Sequence, residues 1–226
     1  MQRVEAQVTG RRRARDGDVR PRSAESRARI LAAAEQAFAK AGLSGARTDD
    51  IADAAGVNKA LLYYYFKSKD ALYEAVLDDH FREFNRRALV VLAAPDAAPT
   101  VLLRYVSLYF DFISARHRYA SLYLQLMTAG GRPVERLVRK YFVPRTTAFN
   151  KLLQRGIRAG EFRRVDARHT AISIVGLIVF YFSAAPVLTV LGHTDAYNAA
   201  TLARRKREVL DFIRHAVFCD PEASVP

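Results

Sequence analysis

Residues Thr48–Asp70, TDDIADAAGVNKALLYYYFKSKD, decide how this chain folds. Two short runs with helical periodicity flank Ala55-Gly56-Val57, and three successive tyrosines close the second run. Neighbouring side chains on a helix point about 100° apart, so Tyr63, Tyr64 and Tyr65 cannot all face a core. Thr48 is expected to cap the first helix, with Asp49 and Asp50 at the positive end of its dipole. Gly56 suits a turn that needs positive φ, Asn58 is placed to cap the second helix, and Ser68 to cap a longer third one. A helix, a tight glycine turn and a second helix of about two turns make a helix-turn-helix unit, whose second helix fits the major groove of DNA.

The faces of that second helix support this reading over an ordinary pair of packed helices. Leu62 and Phe66, four residues apart, mark the buried side. Tyr64 then lies nearly opposite them beside Ala60 and Leu61, while Tyr63 and Tyr65 stand on the two borders. An outward face of Ala, Leu and Tyr is poorly suited to water and well suited to a groove. Alanine admits close backbone approach, and leucine or a ring face meets a thymine methyl. The border hydroxyls are within reach of phosphates, and Lys59 sits in the first turn, where recognition helices place base readers.

Composition agrees with this class. The formal net charge of +13 suits a polyanionic partner, either nucleic acid or an anionic membrane surface, although arginine also serves simply to solvate a surface. Half of the 226 residues are hydrophobic, Ala and Leu are plentiful, and alternating strand-type runs are nearly absent, which indicates an all-α chain. The single cysteine, Cys219, excludes an intramolecular disulfide and a Cys-based zinc finger, and fits a reducing cytoplasm. The N-terminus lacks the apolar core of a secretory signal, so export is not expected. The five histidines are scattered without metal-ligand pairing, and His80 with Glu83 reads as a surface contact. There is no Walker loop, nucleophile elbow or Rossmann glycine run, so neither enzymatic activity nor a metal or cofactor is expected.

Three segments follow. Residues 1–22, rich in arginine, read as a disordered basic arm that either follows the minor groove or remains a solvated tail. Residues 23–70 form the DNA-binding domain: Ser23 is expected as N-cap of a helix carrying Ile30, Leu31, Ala34, Phe38 and Ala41, with Gly42 as its stop. Residues 71–226 form a helical bundle. Its first helix bears a stripe of Leu72, Tyr73, Val76, Leu77, Phe81 and Phe84 and ends before APDAAP. VLLRYVSLYFDFIS is apolar almost all round, so its helix is expected to be buried on most sides. YASLYLQLMT stops at Gly130-Gly131, Pro133 opens the next helix and Pro144 breaks or kinks it. RTTAFNKLLQRGIRAG gives an amphipathic helix ending at Gly160, Asp166 caps the next, and the last runs from about Tyr197 to Phe218. The uncharged run Thr170–Gly192 is long enough to span a bilayer. Ser173, Ser183, Pro186 and Thr189 interrupt it and its neighbours are amphipathic, so a buried contact between protomers is the preferred reading.

Ser26–Val76, and especially ARTDDIADAAGVNKALLYYYFKSKDALYEAV from Ala46 to Val76, resembles the DNA-binding domain of the tetracycline-repressor (TetR) family of bacterial transcription regulators. The pattern T-x-x-I-A-x-x-A-G-V-x-K-x-x-L-Y-x-Y-F-x-S-K runs from Thr48 to Lys69, and GIRAGEFRRVDARHTAISIVGLIVFYF is similar to the approach to the family's penultimate helix. The resemblance implies an N-terminal three-helix DNA-binding domain followed by a C-terminal bundle for ligand binding and dimerisation. It implies that Thr48, Tyr63, Tyr65 and Lys69 hold the phosphate backbone, and that Lys59, Ala60 and Tyr64 read base edges or pack on thymine methyls. Asn58 is either cap or contact. Asp49 departs from members with a basic or polar side chain there, and a carboxylate repels phosphate, so it stays outside the contact set. The resemblance also implies an effector pocket after Thr100, with Tyr105, Tyr109, Phe112, Tyr123, Gln125, Met127 and Phe142 as candidates, although aromatics at helical spacing also read as core. Arg104, Ser107 and Asp111 share one stripe, which also reads as a solvent face. The expected protein is a cytoplasmic homodimeric repressor on a near-palindromic operator, released by a small-molecule effector, with residues 166–191 and 197–218 as the dimer interface. A sequence-independent DNA-binding protein and a membrane-associated sensor are the other two readings.

Overall fold

A computed structural model describes residues 19–116, 118–129, 135–192 and 195–222. Ten α-helices and one π-helical turn follow in order among them. α1 (Val19–Gly45), α2 (Thr48–Ala54), α3 (Lys59–Phe66) and α4 (Lys69–Leu92) come first. α5 (Ala98–Ala115), α6 (Arg118–Ala129), the π-turn (Val138–Phe142), α7 (Val143–Arg158), α8 (Ala167–Ser183), α9 (Ala185–Val190) and α10 (Ala199–Val217) complete the chain. The chain is all-α, as its composition predicts; the one backbone bridge among the described residues joins Phe162 to Phe218.

α1 breaks at Gly42, whose φ of 69° is non-helical, as expected from its place after the apolar stripe. Its start differs from expectation. The helix is already formed at Val19, so Ser23 lies inside it and is no N-cap. Ser23 Oγ instead accepts a hydrogen bond from the Tyr65 hydroxyl at 2.9 Å, tying α1 to α3. Of the basic arm, residues 1–18 lie outside the described residues and residues 19–22 open α1. The expected stops and starts at Gly130, Gly131 and Pro133 also lie outside them.

α4 connects the two halves. Near its start Tyr73 meets Phe38 of α1 edge-on at 5.0 Å. Further along, Phe84 packs on Tyr109 and Phe112 of α5, with ring centroids 4.6 and 5.1 Å away. α5 is the centre of the bundle: Val101, Leu102, Val106, Phe110 and Ile113 are fully or almost fully buried. Its remaining polar stripe faces solvent, where Arg104 pairs with Asp96 and Asp111 with Lys206.

Pro144 explains the π-turn. Lacking an N–H, it cannot close an α-helical bond to the carbonyl four residues back, and the widened turn Val138–Phe142 absorbs that loss just before it. Where α7 ends, a Cβ on Gly156 would sit 2.2 Å from the Phe162 ring, so only glycine lets that ring lie against the helix. Phe162 in turn stacks on Phe218 at 5.4 Å, which fastens the end of α7 to the end of α10. The uncharged run after Asp166 is two helices, not one. Ser183 ends α8, and Pro186 in the first turn opens α9. Among the described residues no helix is long and apolar enough to cross a membrane.

Candidate DNA-binding surface and effector cavity

The recognition unit is assembled by local chemistry. Ile51, Ala52 and Ala55 bury one side of α2 and Leu62 and Phe66 one side of α3. Between them Gly56 takes φ 64°, and Val57 N donates to the Ala52 carbonyl at 3.0 Å, closing the turn. Asn58 Oδ1 accepts from Leu61 N at 2.8 Å and Ser68 Oγ from Ala71 N at 3.0 Å, so both expected caps are present. Thr48 is not a cap. Arg47 holds that position and Thr48 is the first helical residue, its hydroxyl 3.2 Å from that of Tyr63.

On α3 the outward face carries Lys59, Ala60 and Tyr64, the last 69% exposed. Tyr63 stands at the border, and Tyr65 on the other border is half-buried with its hydroxyl engaged by Ser23. Lys59 Nζ pairs with Asp49 at 2.8 Å. The hydrogen bond and charge of Asp49 hold the Lys59 ammonium above the usual lysine range. The acid that the sequence left without a role therefore sits against the proposed base reader. Lys69 Nζ donates to the carbonyls of Ser44 and Ala46, at 3.3 and 3.2 Å, binding the loop before α2 to the start of α4. An ammonium has three donors, so this clamp leaves one N–H for a phosphate. Lys67, which sequence reasoning passed over, ends α3 at φ 60° with its ammonium 5.5 Å from the Tyr64 ring centre.

A cavity of about 410 Å³ lies among α5, α6, the π-turn, α7 and α8. Tyr105, Tyr123, Met127 and Phe142 of the expected set line it. Tyr109 and Phe112 do not; they pack in the core on Phe84. Gln125 lines a different cavity, of about 460 Å³, beside α1 and α8. There its amide donates to Ser121 Oγ at 3.2 Å, and Ser121 donates to the Ala39 carbonyl. The residue that periodicity missed is Arg145, which lines the first cavity and is only 7% exposed. Its guanidinium lies over the rings of Phe142 and Phe84, 4.8 and 5.1 Å from their centres. Burial raises the phenols of Tyr105 and Tyr123 above the usual tyrosine range, and the Arg145 charge offsets part of that rise. An arginine three residues into an amphipathic helix normally solvates its surface, so no sequence signal marked it.

The π-turn that borders the cavity is also bonded to α4. Lys140 Nζ and the Tyr141 hydroxyl both donate to Asp78 Oδ1 at 2.7 Å, and Arg136 pairs with Glu74 at 2.7 Å. Burial pushes the Asp78 carboxyl up, but the hydrogen bonds from Lys140 and Tyr141 outweigh it and hold the group below its ordinary value.

Residues 30–76 match the model of bacterial regulatory proteins of the tetR family, and residues 99–213 that of the tetracyclin repressor-like C-terminal domain. The chain belongs to the TetR family. Its members are transcription regulators carrying a helix-turn-helix DNA-binding domain, and they are not enzymes. The HTH-type transcriptional regulator RutR of Escherichia coli is 28% identical over 196 residues, spanning 82% of this chain and 89% of RutR. The ketosteroid transcriptional regulator KstR2 of Mycobacterium tuberculosis superposes with a TM-score of 0.71 at 18% identity, covering 86% of this chain and 95% of that one. A transcriptional regulator from Saccharomonospora viridis in complex with choline gives 0.68 at 22% identity, covering 87% of this chain and all of that one. TetR-family membership was legible in the motif from Thr48 to Lys69, and the all-α architecture in the composition.

Proposed function

We propose that this TetR-family regulator is an effector-released repressor that binds a near-palindromic operator as a homodimer in the cytoplasm. The observation that carries the reading is the double attachment of α4. Its first turn is capped beside the recognition helix and clamped by Lys69, and its middle is held through Asp78 to the turn that borders the cavity. A ligand that displaces Phe142 moves the π-turn, and with it the anchor of α4. Binding to ligand and to DNA then oppose each other through one element with two arrangements. That a structural neighbour is a regulator in complex with choline supports a small-molecule effector for this chain.

Lys59, Ala60 and Tyr64 read the major groove in this proposal, Asn58 both caps α3 and lies next to the groove, and Thr48, Tyr63, Tyr65 and Lys69 face phosphates. Residues 23–70 act as the DNA-binding unit and 71–226 as the ligand-binding and dimerisation unit, with α4 leading from one into the other. The dimer seam is the apolar face of α8 to α10, where Phe180, Val187, Val190, Leu191 and Phe212 are exposed in the protomer. Two such faces packed about a two-fold axis bury these side chains and set the recognition helices in successive major grooves.

The deciding experiment selects bound DNA from a random pool and measures stoichiometry on the enriched site. A palindrome bound by two protomers is expected. Binding with no preferred site at fixed salt would support sequence-independent DNA binding instead.

A further inference from the structure

We propose that Asp49 determines specificity together with Lys59. The two act as one base-reading unit, in which the carboxylate keeps the ammonium off phosphates and accepts from the exocyclic amino group of a cytosine or adenine. The proposal rests on the reading of Lys59 as a base reader and adds to it a residue from the preceding helix. Both oxygens of Asp49 meet Lys59 Nζ, Oδ1 at 2.8 Å and Oδ2 at 3.1 Å, and each side chain is half-exposed. The hydroxyls of Thr48 and Tyr63, 3.2 Å apart, tie the same two elements a second time. Thr48 and Asp49 are neighbours in the first turn of α2, and Lys59 and Tyr63 lie one turn apart on α3. Two ties side by side thus fix where the ammonium is carried, in the N-terminal turn with which recognition helices contact bases.

Stability is a weak reason for this acid. An exposed ion pair contributes little to folding, and Asp50 supplies a second carboxylate to the same turn and the same helix dipole. On a surface that meets DNA, a carboxylate is repelled by every phosphate. The donors that base edges present in the major groove are the amino groups of cytosine and adenine, so those alone reward it. Thymine O4 or guanine O6 in that place sets one acceptor against another. A lysine by itself discriminates less, because a solvated ammonium on a flexible stem takes a phosphate as readily as guanine N7 or O6. Paired, the two side chains carry no net charge and add nothing to the sequence-independent attraction. Asp49 therefore weakens wrong sites more than the right one, which is how a repulsive element creates a preference.

The test measures binding of the full chain, by fluorescence anisotropy over a salt series, to the palindrome it enriches from a random pool and to a shuffled duplex of equal length. Asp49→Ala is expected to tighten the shuffled duplex and to steepen its salt dependence by about one unit, as Lys59 turns to a phosphate. The ratio of specific to shuffled affinity should fall about tenfold. A second selection with Asp49→Ala should lose one cytosine or adenine preference in each half-site, and Asp49→Asn, neutral but still an acceptor, should keep part of it. Asp50→Ala removes the same charge from the same turn and should change both duplexes alike. Asp49→Ala combined with Lys59→Ala should cost less specificity than the two single changes summed, because they remove one unit. Circular-dichroism melts check folding, and if Asp49→Ala does not fold, Asp49→Asn still reads the tighter shuffled binding. Asp49→Ala behaving as Asp50→Ala, additive losses, or an enriched site unchanged by Asp49→Ala would overturn the role of Asp49 while Lys59→Ala still relaxes one position. Base preferences untouched by Lys59→Ala would sink the reading of Lys59 itself, and the unit with it. No enriched site at all would sink sequence-specific binding and both assignments together.

Discussion

Tyrosines line both the outward face of α3 and the cavity among α5 to α8, and they are placed in opposite ways. On α3, Tyr64 is 69% exposed, whereas Tyr105 and Tyr123 of the cavity are 6% and 7% exposed. The basic side chains follow suit. Lys59 is solvated and paired with an acid ten residues away in sequence, while Arg145 is buried against aromatic rings drawn from α4 and the π-turn. The recognition surface is thus a local object, set by helix phase within Thr48–Asp70. The cavity is a non-local one, made where four helices and a π-turn fail to fill space.

The largest effect that sharpens this contrast comes from the two sides of α3. Phe66→Ala removes a buried ring and is expected to cost about 3–5 kcal/mol of stability, read by thermal or chemical unfolding. Tyr64→Ala, two residues away, should leave the melt unchanged and weaken operator binding. Equal destabilisation by both would break the assignment of faces.

Next is Gly156→Ala at the far end of the bundle. Its new methyl meets the Phe162 ring, which is itself stacked on Phe218, so overpacking should cost about 1–3 kcal/mol. Retention of full stability would mean that the ring has room to shift and that the knot between α7 and α10 is loose.

Lys59→Ala comes third, with an expected loss of about 1–3 kcal/mol on the preferred operator and a relaxed preference at one base position. Lys69→Ala should weaken all sites alike and flatten the dependence of binding on salt by about one unit. Identical behaviour of the two across operator variants would remove the division between base readers and phosphate holders.

Acid provides the smallest effect. Asp78 is held below its ordinary value of 3.8, so its clamp contributes in full above that pH and is lost as pH falls through the lowered native value. Asp78→Asn should cost at most about 1 kcal/mol, because the cluster is partly solvated, and should abolish this segment of the pH–stability curve. An unchanged curve would mean that the π-turn is not anchored through Asp78.

How much was legible in the sequence follows from the same contrast. Leu62, Phe66 and Tyr64 were sorted correctly between core and surface because a fixed rotation per residue decides it. Asn58 and Ser68 were recognised as caps because capping bonds reach only three residues. The two assignments that failed locally, Thr48 and Ser23 as caps, did so because each helix starts earlier in the chain, at Arg47 and before Ser23, and each hydroxyl meets a tyrosine of α3 instead. Asp49 escaped assignment for a related reason: its partner Lys59 belongs to the next helix, and only the angle of the turn brings them together.

In the bundle, the amphipathic pattern separated Tyr105, Tyr109, Phe112 and Tyr123 from solvent without telling wall from core. That distinction depends on which neighbours leave a gap, and periodicity on one helix carries no information about the helix opposite. Arg145 shows the limit most clearly. Its sequence context is that of a solvated helix residue, and its burial is imposed by Phe84 from α4 and Phe142 from the π-turn. Sequence by itself determined most of the helices, the caps at Asn58, Ser68 and Asp166, the TetR-type recognition motif and the outward face of α3, since those interactions close within one or two turns of chain. The cavity, its buried cation and the clamp from the π-turn to α4 were decided only by tertiary packing, which joins residues some sixty positions apart.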